Sequence, residues 1–435
     1  MKMTLKHHNL DISQLIKLIK DGGMVRTGVD VFNKDDVLLL EKDVLVKSIK
    51  PLLIIQEKGI NLIPIDPGNK GGLWDKEGRS ILPKTLPPKP AVPPSVKQRV
   101  KHISHIKTEA ARKYREAKKN IKRIIDDIIR TGGEFDQKIV EDTVTDLLGF
   151  ITQNESAFFY LTREIFSYDD YLYHHSINVC TIGTAIMKKA VQLFGESIRS
   201  YSSQELLDIS TGFFLHDVGK VLIPFATLNK PGQLTPDEFE MIKAHSFKYG
   251  MEVLKKNSIH NRIIRDIVRY HHGPLFDGEE RCYPPVRSAV DLPSHVRIGK
   301  LADLYDAMTS KRCYKDAFNP VSVVTTIVRG YAGKDESLQL LLHAFVKSIG
   351  IYPPGSVVHL KDNRLAYILD SEGPLVIPFT DNQGNTISKQ PDPIYLADQE
   401  VKASGLGVND EMPLVSPVEA WQRFPEYLKQ RPIAA

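Results

Sequence analysis

A chain of 435 residues, 42% apolar and 26% charged, is long enough for two or three domains and has an ordinary globular balance. No apolar run approaches the roughly 18–20 residues that span a membrane, and the opening MKMTLKHHNLDISQLIKLIKDGG lacks the apolar core of a signal peptide. Cys180, Cys282 and Cys313 lie far apart without CxxC spacing, which excludes a disulfide framework and a cysteine zinc site and points to a reducing, cytoplasmic setting. The net charge of +5 is uneven: between Lys97 and Arg130 twelve Lys or Arg face four acids.

In chain order, residues 1–82 carry the short runs VLLL, PLLIIQ and INLIPI between turn signals, the texture of a small α+β or mostly β accessory module. The segment ILPKTLPPKPAVPPS holds six prolines, so residues 83–95 read as a stiff linker. From 96 to 131 an apolar stripe at spacings of three and four (Val96, Val100, Ile103, Ile106, Ala110, Tyr114, Ala117, Ile121, Ile124, Ile128) predicts one long amphipathic helix with basic outer faces. It is expected to transmit a signal or form a homodimer. A nucleic-acid partner is not expected, because no aromatic stacking platform accompanies the charge. Residues 132–350 keep helical periodicity. Residues 351–435 open as a β-rich extension, with SVVHL, LAYIL, PLVIPF and PIYL separated by turn signals. The expected fold is thus mainly α, with small modules at each end.

Seven of the fourteen histidines fall between 174 and 272. His175 shares a stripe with Val179, Ile182 and Ile186, and His216 continues Leu206, Ile209 and Phe213. His245 follows Phe239 and Ile242, while His271 and His272 extend Ile264, Ile267 and Val268. One inward histidine is ordinarily a core residue. Four helices each aiming an imidazole inward, with Asp217 and Asp303 nearby, point instead to a cation that offsets the cost of buried carboxylates. Asp217 should lie about 100° around the helix from His216. Imidazole and carboxylate donors suit iron, manganese, zinc or nickel better than magnesium.

The stretch FFLHDVGK (213–220) resembles the core motif of the HD superfamily of metal-dependent phosphohydrolases. DDYLYHHSINV (169–179), IPFATLNKPGQLTPDEFEMIKAH (223–245), ADLYDAMTSKRCYKDA (302–317) and YPPGSVVHL (352–360) narrow the resemblance to the HD-GYP family of bacterial cyclic di-GMP phosphodiesterases, over roughly residues 140–360. The resemblance implies an all-α catalytic domain with two divalent ions, iron or manganese, held by His175, His216, Asp217, His245, His271, His272 and Asp303. His175, in the HSxNV position, is preferred to His174. Tyr171 stands where some members carry a glutamate for a third ion, so two ions are expected. Asp217 and Lys220 are the expected catalytic residues, with Asp217 bridging the ions, and Arg312, Lys315 and Tyr283 the expected substrate contacts.

The implied reaction is hydrolysis of cyclic di-GMP to linear pGpG or GMP. The family motif HHE, two residues, then DGSGYP is altered here to HHGPLFDGEERCYP (271–284): Gly273 replaces the glutamate and Cys282 the glycine of GYP. Cys313 likewise replaces a proline. The alternatives are a non-catalytic cyclic-dinucleotide sensor or docking module, and an HD hydrolase acting on another phosphoester.

Overall fold

The computed structural model describes residues 8–32, 37–58, 60–66, 70–80, 96–154, 171–228, 230, 232–310, 316–371 and 373–429. The proline-rich linker falls outside them. The chain divides into two compact units, Met1–Pro94 and Ser95–Ala435.

Among its described residues the first unit joins three antiparallel strand pairs to two helices. Strand β1 (His8–Asp11) pairs with β5 (Leu62–Ile65), β2 (Met24–Arg26) with β6 (Gly72–Trp74), and β3 (Val31–Phe32) with β4 (Leu38–Leu40). Asp11 caps the helix Ile12–Lys20 by accepting from the Ser13 amide. PLLIIQ, expected as a strand, is instead the body of the helix Lys50–Glu57. Pro51 sits in its first turn, where the missing N–H costs nothing, and Leu52 and Ile55, three apart, both enter the core. An unbroken apolar run of this length does not by itself distinguish strand from buried helix.

The second unit begins with the predicted helix, Val96–Thr131. Its stripe is buried from Ile103 to Ile128, in one continuous core with the helices Gln137–Gln153 and Tyr171–Ile198. The seam expected to serve a homodimer is therefore spent within this chain's own core. At the near end Asn257 locks the turn after the long helix. Its side chain donates to the carbonyls of Gly133 and Val253, both at 2.8 Å, and accepts from the Phe135 amide at 2.9 Å.

The helix Tyr171–Ile198 runs through the middle of the unit, and from His174 to Met187 every residue is buried. Around it pack the helices Ser203–Leu215, Ser294–Thr309 and Glu336–Ile349. The approach is close because Gly183 lies directly on Phe213: a Cβ there would stand 2.7 Å from the phenyl ring. Phe213 is one turn before His216, so this contact sets how deeply that histidine reaches.

The C-terminal extension forms the expected sheet from β7 (Val357–His359), β8 (Leu365–Asp370), β9 (Leu375–Pro378) and β10 (Ile394–Tyr395), in the order β10-β9-β8-β7 with all neighbours antiparallel. Along β8 (Leu365–Asp370) the faces alternate: Leu365, Tyr367 and Leu369 enter the main core, while Ala366 and Ile368 enter a small separate one. Among the described residues no helix is long and apolar enough to cross a membrane.

Replacing Asn257 with alanine strands the buried Gly133 carbonyl and the Phe135 amide. Urea denaturation should show a loss of about 2–3 kcal/mol of stability, with bound metal unchanged because Asn257 lies outside the histidine cluster.

Candidate metal centre

Three of the four helices that supply a ligand histidine end at it, while His175 lies within the helix Tyr171–Ile198, near its start. A capping box between Ser202 and Glu205 starts the helix Ser203–Leu215, and His216 is its C-cap. A second capping box, Thr235 with Glu238, starts Pro236–Ala244, which ends at His245. Asn261 caps Arg262–Tyr270, which ends at His271. Asp217 therefore does not lie 100° around a helix from His216. The chain leaves the helix there and tightens into a 3₁₀ turn, Val218–Leu222, which turns both side chains inward at 1% exposure. His245 also departs from its expected stripe, since Phe239 is 47% exposed. What buries His245 is a π-helical segment, His245–Gly250, pressed against the 3₁₀ turn. Gly219 permits this contact: a Cβ on it would fall 2.0 Å from the His245 carbonyl oxygen and 2.3 Å from the Gly250 nitrogen.

All seven expected ligands converge. His175, His216 and Asp303 form one group, and Asp217, His245, His271 and His272 another, the donor atoms of each lying within 4.8 Å of one another. Asp217 faces both. Its Oδ2 lies 3.4 Å from Nε2 of His175 and of His216, and its Oδ1 lies 3.1 Å from Nε2 of His245 and 3.6 Å from that of His271. Asp303 similarly reaches His175 at 3.1 Å with one oxygen and His272 at 3.8 Å with the other. His174 turns away, its Nδ1 hydrogen-bonded to the hydroxyl of Tyr114 on the long helix.

The protonation pattern fits a cation. The Nδ1 atoms of His216, His245 and His271 face the carbonyls of Phe213 (2.7 Å), Ile242 (2.6 Å) and Val268 (3.0 Å). A carbonyl only accepts, so each Nδ1 carries a proton and each Nε2 is turned inward. Burial lowers the pKa of His245 and His271 and keeps them neutral. Their Nε2 atoms nonetheless face each other at 3.2 Å, an arrangement that a positive ion between lone pairs makes favourable.

Burial works to raise the pKa values of Asp217 and Asp303. For Asp217, Lys220 and His216 hold it well below the usual carboxylate range instead; for Asp303, His175 does so. Asp217 Oδ1 receives no hydrogen bond among the described residues. His175 is pulled the other way: burial lowers its pKa, but Asp303 and Asp306 outweigh burial and raise it to about 9. The proton on His175 holds the positive charge that two carboxylates in a dry site require.

The other expected residues divide. Lys220 pairs with Asp217 Oδ2. Tyr283 stands at the rim, its ring 4.6 Å from that of His272, after which comes a cis peptide to Pro284. Arg312, Lys315 and Cys313, and the side chain of Tyr171, lie outside the described residues. Asp277 of the altered motif is a loop staple, accepting from Ser288 Oγ at 2.9 Å and the Ala289 amide at 2.7 Å.

Two residues that matter here escaped the sequence reading. Asp306 accepts from His175 Nδ1 at 2.7 Å and, through its other oxygen, from Asn178 Nδ2 at 2.7 Å. Both carry a readable signal, since Asp306 is three residues after Asp303 and Asn178 three after His175, each on the same helical face.

Residues 172–308 match the HD domain family model. The chain is 29% identical to a cyclic di-GMP phosphodiesterase of Pseudomonas aeruginosa, over 79% of this chain and 76% of that protein. It is 33% identical to the 3'3'-cGAMP-specific phosphodiesterase 2 of Vibrio cholerae, over 32% of this chain and 26% of that one. It is 36% identical to the cyclic di-GMP phosphodiesterase response regulator RpfG of Xanthomonas campestris, over 27% and 30%. Over residues 172–308 the chain carries an HD domain. Its likeness to these relatives agrees with the HD-GYP family that its motifs resemble.

Asp306→Ala frees His175 Nδ1 and leaves Asn178 unpaired. Metal affinity, measured by competitive chelator titration, should fall about 10–100-fold, with the helical circular dichroism unchanged.

Proposed function

We propose that this chain is a metal-dependent phosphodiesterase that hydrolyses cyclic di-GMP to linear pGpG or GMP. The observation that carries the reading is the placement of Asp217, whose two oxygens face two separate histidine groups. His175, His216 and Asp303 would hold one ion, His245, His271 and His272 the other, and Asp217 would be shared. The donor set suits iron, manganese, zinc or nickel, of which the family resemblance favours iron or manganese. Two such ions supply an acidified water and fixed positive charge where a phosphodiester's negative charge grows.

The protein's own groups do the rest. The Nδ1 hydrogen bonds fix the imidazole rings, and the buried walls exclude bulk water from the carboxylates. Lys220, tethered at Asp217 Oδ2 with its side chain 18% exposed, is proposed to move onto a non-bridging phosphate oxygen. Arg312 and Lys315 are proposed as further phosphate contacts, and Tyr283 as a wall of the base pocket. Residues 1–82 are proposed as an accessory module that regulates the domain. A homodimer would have to use the outer faces of the helix Val96–Thr131, since its apolar stripe is buried.

A second reading has a specific observation behind it. The loop before Tyr283 departs from the family motif, and one relative is named for 3'3'-cGAMP, so another cyclic dinucleotide is the nearest alternative substrate.

Protein purified without oxygen and loaded with iron or manganese should bind two ions and turn over cyclic di-GMP. Chelation should abolish turnover, and a His216→Ala, Asp217→Ala variant should lose at least about 10³-fold. Two bound ions without turnover would transfer the assignment to another phosphoester or to a sensor, and absence of metal binding would overturn the proposal.

A further inference from the structure

The altered segment 273–283 contains neither the glutamate nor the glycine of the family motif, yet it is tightly held, and a single side chain does much of the holding. Lys300 lies on the helix Ser294–Thr309, one turn before Asp303, and is only 7% exposed. Its ammonium donates to the Gly273 carbonyl at 2.9 Å, pairs with Glu279 Oε1 at 2.8 Å and lies 3.3 Å from Cys282 Sγ. An ammonium has three N–H donors, and here three acceptors take them.

The positions of those acceptors give the arrangement its meaning. Gly273 directly follows His272, and Cys282 directly precedes Tyr283, so one buried cation grips the segment at both ends and at Glu279 near its middle. Glu279 extends the clamp, accepting from the Leu275 amide at 2.5 Å and from the Tyr331 hydroxyl at 2.9 Å. The Tyr283 amide closes the loop onto the His272 carbonyl at 3.1 Å. The outcome is the tilted stack of Tyr283 on His272 at the rim of the histidine cluster.

We propose that Lys300 is a positioning residue: through Glu279 and Cys282 it fixes the loop 273–283, and with it Tyr283, as the substrate wall of the metal site. The substrate part of this rests on the phosphodiesterase reading above; the fixing of the loop does not. Lys300 reaches the reaction only through the loop, and its loss should be felt as substrate binding rather than as chemistry. Removing it also leaves the Glu279 carboxylate buried without its countercharge, a larger disturbance than removing both partners.

The test is hydrogen exchange together with kinetics on Lys300→Met, Glu279→Gln and the double variant, each with its metal content assayed. In Lys300→Met, amide exchange across 273–283 should accelerate at least tenfold while the helix Ser294–Thr309 keeps its protection. KM for cyclic di-GMP should rise about tenfold with kcat within threefold, the signature of lost positioning with the chemistry intact. The double variant should recover part of the protection lost in Lys300→Met. Exchange and KM both within twofold of the parent would overturn the proposal, as would loss of metal in Lys300→Met, which would place the residue's role at Asp303. If Lys300→Met does not fold, Glu279→Gln, which keeps the shape and removes the charge, decides the matter by the same readouts. If the parent protein does not hydrolyse cyclic di-GMP, the substrate reading fails, and exchange alone decides whether Lys300 holds the loop.

Discussion

A single carboxylate organises this molecule. Asp217 is 1% exposed and held ionised, with one oxygen toward His175 and His216 and the other toward His245 and His271. A buried charge of this kind is tolerable only where cations meet it. In the protein alone that duty falls first to Lys220, with His216 beside it. Much of the fold serves to bring those groups to one point. The 3₁₀ turn exists to turn the His-Asp pair inward, Gly219 lets the turn sit on the π-segment that carries His245, and Gly183 lets the central helix approach Phe213, which sets His216.

The same electrostatics explain why the histidines are held so firmly from behind. Three of the five donate Nδ1–H to carbonyls near the ends of their own helices, and His175 donates to Asp306. Helix C-termini have carbonyls without intrahelical partners, and a histidine at the C-cap can use one while its other nitrogen looks outward from the helix end. Ending a helix at the ligand thus fixes the tautomer and aims the lone pair in one step. The helices Ser203–Leu215, Pro236–Ala244 and Arg262–Tyr270 all stop at their histidine in this way, while His175 and Asp303 face the same point from within the helices Tyr171–Ile198 and Ser294–Thr309.

That arrangement also marks where the sequence is legible and where it is not. The long helix was readable from its stripe, and the C-terminal sheet from its alternation, because burial on one face writes a period into the chain. The seven convergent residues were readable because their motifs stand in a family's order. PLLIIQ was misread because a short apolar run has no period to offer. Periodicity extrapolates past a helix end that the sequence does not announce, so it assigns Asp217 to a helix it does not belong to and His245 to a stripe whose Phe239 faces solvent. Asp306 and Asn178 carried the right spacing but were passed over, since residues that support ligands differ from ligands only by what they touch.

Lys300 was invisible for a deeper reason. Its three partners lie 27, 21 and 18 residues away, on a segment whose motif is altered, and nothing local marks a lysine at that point of a helix as buried. Its role follows from accounting for charge: a buried ammonium needs acceptors, and the segment 273–283 supplies a carbonyl, a carboxylate and a thiol in reach of it. The residues that replace the motif are therefore not unconnected losses. Cys282 stands where the motif has glycine, and Glu279 arrives within the same altered stretch, yet both contact the same cation. The departures from the motif are thus bound together through one buried ammonium. On this view the difference from the family motif lies in how the wall beside the histidines is held, while the histidines themselves keep their places.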